Sequence, residues 1–250
     1  MKSKFIKKIF MVTILLLTAI GISIFTNYGY KGAFATLNRK LPIYCVDTKD
    51  KKVAITFDVS LGDEYIDKIL NVLDKHNIKA TFFVVGDWVD KNPDKLKDIY
   101  TKGHEIGNHS NRHPNMTKIS RDKVIEDINI NEAKIRSIIG SGTKLFRCPE
   151  GAYNDDVIDA VKSSGYYCIQ WDVDSVDWKE QGADLEYNRV IKNTKPGSII
   201  LFHNSAKYTP GNLERVITNL NEKGYKFVKV GDLIYKDNYK MEYDGKQMRN

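Results

Sequence analysis

From residue 51 to about residue 236, short runs of β-branched and aromatic residues alternate with stretches whose apolar residues recur at helical spacing. The runs "KKVAITFD", "KATFFVVG", "HEIGNHS", "KLFRCP", "YYCIQWDV", "SIILFH" and "KFVKV" read as strands. Most are nearly continuous in apolar residues, as strands covered on both faces are, and that points to parallel pairing. The stretches between them predict helices over Glu64–His76, Pro93–Tyr100, Ser120–Ile139, Asp155–Ser164, Asp184–Asn193 and Pro210–Lys223. Ser120 stands where a cap belongs and Pro93 where a first-turn residue belongs. Parallel strands need long crossovers, so about seven strands alternating with helices imply an α/β domain. A barrel and an open doubly wound sheet both satisfy this alternation, and both gather functional side chains at the carboxyl ends of the strands.

Polar residues close these runs. Asp58, His109, Arg147, Asp174 and His203 each stand at or just past a strand's C-terminal end, where distant parts of the sequence converge. In "GHEIGNHSNRHP", His109 and His113 are four apart and meet on one divalent ion if the backbone between them turns helically. Alone, such a pair is as readily two solvated histidines; the accompanying strand-end groups argue for a site.

Charge excludes one class of partner. The formal net charge is +7, and residues 1–40 hold seven Lys and Arg with no acid, so the remainder of the chain is balanced. The basic excess belongs to the N-terminal segment and gives no footprint for a nucleic-acid backbone. That segment carries an uncharged apolar run over residues 9–25, with Ala33-Phe34-Ala35 as a small-x-small cleavage pattern. A signal peptide and a membrane anchor, within residues 1–35, are equally expected; either places the rest outside the cell membrane, since Lys2 to Lys8 hold the N-terminus inside. Residues 36–50 read as a linker and 237–250 as a loosely held polar tail. Of Cys45, Cys148 and Cys168, the last two lie in or beside core strands, as buried thiols or a bridge. None has zinc-ribbon spacing.

Through these residues the chain resembles the polysaccharide deacetylases, the NodB-homology domain of carbohydrate esterase family 4, and in particular their sporulation-associated branch. The likeness covers about residues 51–236. "TFDVSLGD" resembles the family's T-F-D-D-G, "HSNRHP" its H-[ST]-x-x-H-P, "RCPEG" its R-x-P-x-G, "DSVDW" its D-x-x-D-W and "LFH" its L-x-H. The resemblance implies a distorted (β/α) barrel in a single domain and metal-assisted removal of N-acetyl groups from a cell-wall glycan. It makes Asp58 the catalytic base, Arg147 its orienting partner, His203 the general acid and Asp174 the carboxylate that keeps His203 protonated. His109 and His113 would hold the ion, zinc first and cobalt or another transition metal next. Trp178 and Leu201 would wall the acetyl methyl group, and the main-chain N–H of Glu150 would receive the oxyanion. Asp177 reads as supporting structure.

Two departures stand out. Val59 occupies the place of the family's carboxylate ligand, so a weakened metal site is expected; Asp63, which can equally cap the first helix, and Asp58 itself are the alternative substitute ligands. Glu150 stands where an aromatic residue is usual. These departures motivate an alternative: a glycan-binding module on a degenerate deacetylase scaffold.

Overall fold

The computed structural model describes residues 39–250, together with Met11, Thr13, Ile14, Leu17, Thr18 and Ser23. The apolar run at 9–25 and the cleavage pattern at 33–35 lie, apart from those six positions, outside the described residues. No helix among the described residues is long and apolar enough to cross a membrane. Leu41–Asn250 forms one compact unit.

In chain order its elements are β1 (Cys45–Val46), β2 (Lys52–Val59), α1 (Ile66–Lys75), β3 (Thr81–Val84), α2 (Gly86–Lys91), α3 (Pro93–Thr101), β4 (Glu105–Asn108), α4 (Arg121–Ile139), β5 (Leu145–Phe146) and α5 (Asp155–Ser163). Then come β6 (Tyr167–Cys168), β7 (Val173–Asp174), α6 (Ala183–Asn193), β8 (Ile199–His203), α7 (Thr209–Glu222), β9 (Lys226–Phe227), α8 (Val230–Leu233), β10 (Tyr239–Met241) and β11 (Lys246–Arg249). Local chemistry sets several ends. Ser120 Oγ accepts the Lys123 N–H to open α4, Asn154 Oδ1 accepts the Val157 N–H to open α5, and α4 stops at Gly140 with φ +73°.

Among the described residues the main sheet runs β6-β5-β4-β3-β2-β8-β7, each neighbouring pair parallel, with β9 against the start of β2. Cys168 ends one edge strand and Val173 begins the other. Five residues span at most about 18 Å, whereas seven strands laid flat would separate the edges by about 29 Å. The sheet therefore curls into a distorted barrel, as the resemblance implies, and residues 169–172 cross its seam. Ile43 fills that seam, bridging to Ile169 and exchanging backbone hydrogen bonds with Cys168 and Gln170.

This is where "YYCIQWDV" departs from expectation: it makes two short strands on opposite edges rather than one. Asp172 holds the chain at the crossing by accepting the Ile199 N–H and the Ser198 hydroxyl. The tail departs as well. β10 and β11 form an antiparallel hairpin whose second strand pairs with β1, and Gln247 is fully buried with both side-chain amide atoms bonded to the Tyr235 backbone. The expected linker thus contributes a strand, and the expected loose tail is packed.

The pleat of β2 separates two layers. Val53, Ile55, Phe57 and Val59 face outward and pack, with Phe82, Val84 and Phe202, against Ile66, Ile69, Leu70 and Leu73 of α1 and Leu213, Val216 and Ile217 of α7. Each such buried side chain contributes about 1.5–3 kcal/mol relative to exposure. Ala54, Phe83, Leu145 and Ile199 belong to a second cluster, closed by Val230 and Leu233 of α8. Gly107 on β4 allows that inner packing, because a Cβ there would lie 2.5 Å from the Phe83 ring.

Candidate active site

Asp58 is the penultimate residue of β2 and His203 ends β8, and the two are register partners, so their side chains share one end of the barrel. Between them lies a cavity of about 550 Å³, lined by Asp58, Ser60, His109, His113, Glu150, Gly151, Trp171, Asp174, Trp178, Leu201 and His203. All the site residues inferred from sequence therefore line it except Arg147, which lies beneath it, and Asp63.

Arg147 is wholly buried. Its Nη1 donates to Asp58 Oδ1 at 2.7 Å and to Thr56 Oγ1 at 2.9 Å, its Nη2 donates to the Gln170 carbonyl at 3.1 Å, and its guanidinium lies 4.1 Å above the Phe83 ring. Burial by itself raises the pKa of Asp58, but the charge and hydrogen bond of Arg147 together with His109 and His203 outweigh it and hold the carboxyl below its ordinary value. Asp58 is an ionised base with one oxygen fixed; Oδ2 stands 3.5 Å from His109 Nε2.

His109 Nδ1 is 2.9 Å from the Arg147 carbonyl oxygen. That acceptor requires the proton on Nδ1 and leaves the Nε2 lone pair toward the cavity. Burial pushes its pKa down to about 4, so the ring is neutral. The His113 ring lies edge-on at 5.1 Å between centroids. The pair converges without the helical turn expected from its spacing: Ser110 and His113 take φ of +71° and +56°, and Ser110 Oγ accepts the His113 N–H. A buried polar frame fixes this loop. Asn108 Oδ1 accepts the Ser110 N–H, Asn131 Nδ2 donates to Asn108 Oδ1 and to the Val84 carbonyl, and Asp127 accepts the Asn111 N–H. The sequence alone does not single these residues out. Their trace was present as polar Asp127 and Asn131, four apart, flanking Ile128 on an otherwise apolar helix face.

The histidine at the other side pairs differently from expectation. His203 Nδ1 lies 2.7 Å from Asp177 Oδ1, and the His203 backbone N–H donates to Asp177 Oδ2 at 2.8 Å. Asp177 is fully buried and also accepts from the Thr209 hydroxyl. Asp174 is not the partner: its Oδ1 accepts the Val176 N–H and its Oδ2 the Trp171 indole N–H. It shapes the turn in which Val176 takes φ +56°, a conformation a β-branched residue rarely adopts, and that turn delivers Asp177 under His203. Burial alone lowers the pKa of His203, but the hydrogen bond and charge of Asp177, aided by Asp58 and Asp174, hold it above its ordinary value.

Leu201 is buried in the cavity wall and Trp178, 59% exposed, stands at its rim. Glu150 takes φ +57° in a 3₁₀ turn closed by the Gly151 N–H to Cys148 and the Ala152 N–H to Pro149. Neither bond uses the Glu150 N–H, while its side chain accepts from Asn115 Nδ2. Cys148 and Cys168 are buried free thiols with sulfurs 3.8 Å apart.

The expected ion finds a short donor set. His109 Nε2, His113 and Asp58 lie close together, yet among the described residues no group of three or more His, Cys, Asp or Glu side chains is disposed to hold a metal. Val59 faces the helix layer rather than the cavity, and Asp63 is exposed, outside the cavity lining, with its carbonyl accepting the first N–H of α1. The residues present do not fit a resident three-ligand ion, which corrects the assignment of Asp63.

Comparison with known proteins agrees with this architecture. The polysaccharide deacetylase family model matches residues 46–169. The peptidoglycan-N-acetylmuramic acid deacetylase PdaA of Bacillus subtilis is 34% identical over 196 residues, 77% of this chain and 74% of that protein. A peptidoglycan-N-acetylglucosamine deacetylase of Bacillus cereus is 37% identical over 185 residues, 71% of this chain and 66% of that one. The solved structure of BA3943 from Bacillus anthracis, described as a CE4 family pseudoenzyme, matches with a TM-score of 0.74 at 34% identity, over 84% of this chain and 70% of that chain. A mutant of that protein is described as having restored enzymatic activity. By sequence, by fold and by the residues gathered at the barrel mouth, this chain belongs to the polysaccharide deacetylase family.

Proposed function

We propose that this chain hydrolyses the N-acetyl group of an amino sugar in cell-wall polysaccharide, peptidoglycan or an N-acetylglucosamine-type glycan. It acts outside the cell membrane, released or anchored there by the N-terminal segment. One observation carries the reading: two opposite charge pairs, Arg147–Asp58 and Asp177–His203, end in the same cavity, one holding a base ionised and the other an acid protonated.

An acetamide is a poor electrophile, and its hydrolysis needs an activated water, a place for the oxyanion and a proton for the leaving amine. Asp58 Oδ2 takes a proton from water, which attacks the acetyl carbon. The main-chain N–H of Glu150 receives the developing oxyanion. His203, whose Nδ1–H is committed to Asp177, gives the proton on Nε2 to the nitrogen as the carbon–nitrogen bond breaks, leaving free amine and acetate. Leu201 and Trp178 enclose the methyl group. Asp174 positions Asp177 and Trp178 by holding the turn that carries them. The family's metal chemistry stays outside this scheme, because the donors present stop short of a resident centre.

The test is acetate release from wall glycan or an N-acetylglucosamine oligomer, with and without added zinc. Release that disappears in Asp58→Asn supports the reading, and no release from folded protein under either condition refutes it. A second reading is favoured by Val59 in the helix layer and by the likeness to BA3943: a glycan-binding module without turnover. It expects glycan affinity to survive His109→Ala and His203→Ala; a stoichiometric, tightly held ion in purified protein would count against it.

A further inference from the structure

Cys148 and Cys168 have no part in the proposed reaction, yet they adjoin its machinery. Cys148 lies between Arg147 and the turn Pro149–Gly151 that presents the Glu150 N–H, and Cys168 ends the edge strand β6. Phe146 is the register partner of Cys168, so Cys148, two residues beyond Phe146, is its diagonal neighbour on the same pleat face. Their sulfurs are 3.8 Å apart, and both side chains are buried in an apolar cluster with Met116, Ile128, Val157 and Val161. Among the described residues, the hydrogen bond between the two thiols is the only one that either side chain makes.

This edge of the sheet is thinly held, since β5 and β6 have two residues each. One end of the turn is tied to the chain after β6, because Gln170 Nε2 donates to the Gly151 carbonyl at 3.0 Å. The other end, at Cys148, meets Cys168 through the weak thiol contact. A covalent link there would hold the turn at both ends.

We propose that Cys148 and Cys168 are a disulfide site, closed by exchange with a disulfide oxidant, and that the bridge clamps the turn carrying the Glu150 N–H to the edge of the barrel. This rests on the proposed function for the oxidising surroundings and for the use of that N–H. Cys168 keeps 8% of its surface and Cys148 none, so the oxidant meets Cys168 first. The Cys168 thiolate attacks one sulfur of the oxidant, forming a mixed disulfide and expelling the other sulfur, which leaves as a thiol with the Cys168 proton. The Cys148 thiolate then attacks Cys168 Sγ, and the second oxidant sulfur leaves as a thiol with the Cys148 proton. The pair loses two electrons and two protons, and the oxidant gains both. The sulfurs close from 3.8 Å to about 2.05 Å. The hydrogen bond with Cys148 and burial push the Cys168 thiol well above its ordinary pKa, so exchange is slow in the closed fold and proceeds as the edge strand opens. Cys45 belongs to the other sheet, beside Lys246 and Ser198, and stays reduced.

The test starts from the full chain, reduced and then held folded in oxidised glutathione, with its thiols alkylated in denaturant and counted. Reduced protein carries three cysteine thiols; one is expected after oxidation, with the tryptic peptides 148–162 and 163–179 recovered as a single disulfide-linked species. The bridge joins positions 20 apart, and closing a loop of that length should raise the melting temperature by about 6–12 °C. Amide exchange at Gly151 and Ala152, whose N–H groups close the turn, should slow in the oxidised form. Cys148→Ser with Cys168→Ser should show no response to the oxidant, and the wild type kept in reductant gives the same comparison if that variant does not fold. Three free thiols after oxidation, a bridge that includes Cys45, a bridged form no more stable than the reduced one, or unchanged exchange at Gly151 and Ala152 overturns the proposal. Thiol count, melt and exchange need no turnover, so absence of acetate release would refute the deacetylase reading and leave the bridge measurable.

Discussion

Replacing Asp177 by Asn tests the pairing that the structure gives His203. Asp177 accepts three hydrogen bonds, from the His203 ring, the His203 N–H and the Thr209 hydroxyl, from a fully buried position. An amide keeps one acceptor oxygen and presents an N–H₂ group to a donor. Stranding a buried charge costs about 3–5 kcal/mol, but the His203 side chain is 24% exposed and can release its proton. The expected loss is therefore nearer that of a charge-assisted hydrogen bond, about 1.5–3 kcal/mol. The pH dependence has a definite sign. His203 is held above its ordinary value in the fold, so its pairing adds stability that is full below the unfolded pKa, near 6.5, and fades as pH rises through the folded one. The gap between wild type and Asp177→Asn, measured by urea unfolding, should be widest in mildly acidic buffer and narrow in alkaline buffer. NMR of the His203 ring should show its pKa falling in Asp177→Asn. Turnover should drop about 10²- to 10⁴-fold as the proton donor is lost, with the alkaline limb of the rate profile moved to lower pH. Asp174→Asn should leave that titration nearly in place. If Asp174→Asn lowers the His203 pKa as far as Asp177→Asn does, or if the stability gap grows with pH, the assignment is wrong.

Three further expectations follow from the packing. Val59→Asp places a carboxylate in the outer helix layer unless the end of β2 opens; it should lower the melting temperature in chelator through an unpaired buried charge, and zinc should return part of the loss, with no effect of zinc on the melt counting against a latent third-ligand position. Gly107→Ala drives a methyl group into the Phe83 ring beneath Arg147; denaturant unfolding should register an overpacking cost of about 1–3 kcal/mol, and a neutral result would mean that Phe83 is free to move. Gln247→Ala strands the Tyr235 N–H and carbonyl; it should cost about 2–4 kcal/mol and speed proteolysis of the C-terminal hairpin, and a stable, protease-resistant variant would contradict that role for the tail.

Much of the barrel and its rim was readable because both follow local rules. Runs such as "KKVAITFD" read as strands covered on both faces, and the groups that close them, Asp58 and His203 among others, arrive at one edge through parallel pairing. What escaped depends on distant contacts. In "DSVDW" spacing cannot tell which aspartate reaches His203; the left-handed Val176 and the turn after it decide, and their geometry is set by the Trp171 and Thr209 contacts. The apolar "YYCIQWDV" reads as one strand, and only closure of the barrel divides it between two edges. The tail is polar by composition but is held by backbone pairing and one buried glutamine, neither of which leaves a hydrophobic period. His109 and His113 meet as expected, through positive φ at Ser110 and His113 rather than a helical turn, because Asn108, Asp127 and Asn131 hold the loop from beneath.

The most direct measurement is a crystal structure of the Asp58→Asn variant with an N-acetylglucosamine oligomer bound. One acetamide is expected inside the cavity, its methyl against Leu201 and Trp178, its carbonyl oxygen toward the Glu150 N–H and its nitrogen within reach of His203 Nε2. An oligomer held elsewhere on the surface, or an acetamide facing away from both position 58 and His203, would contradict it.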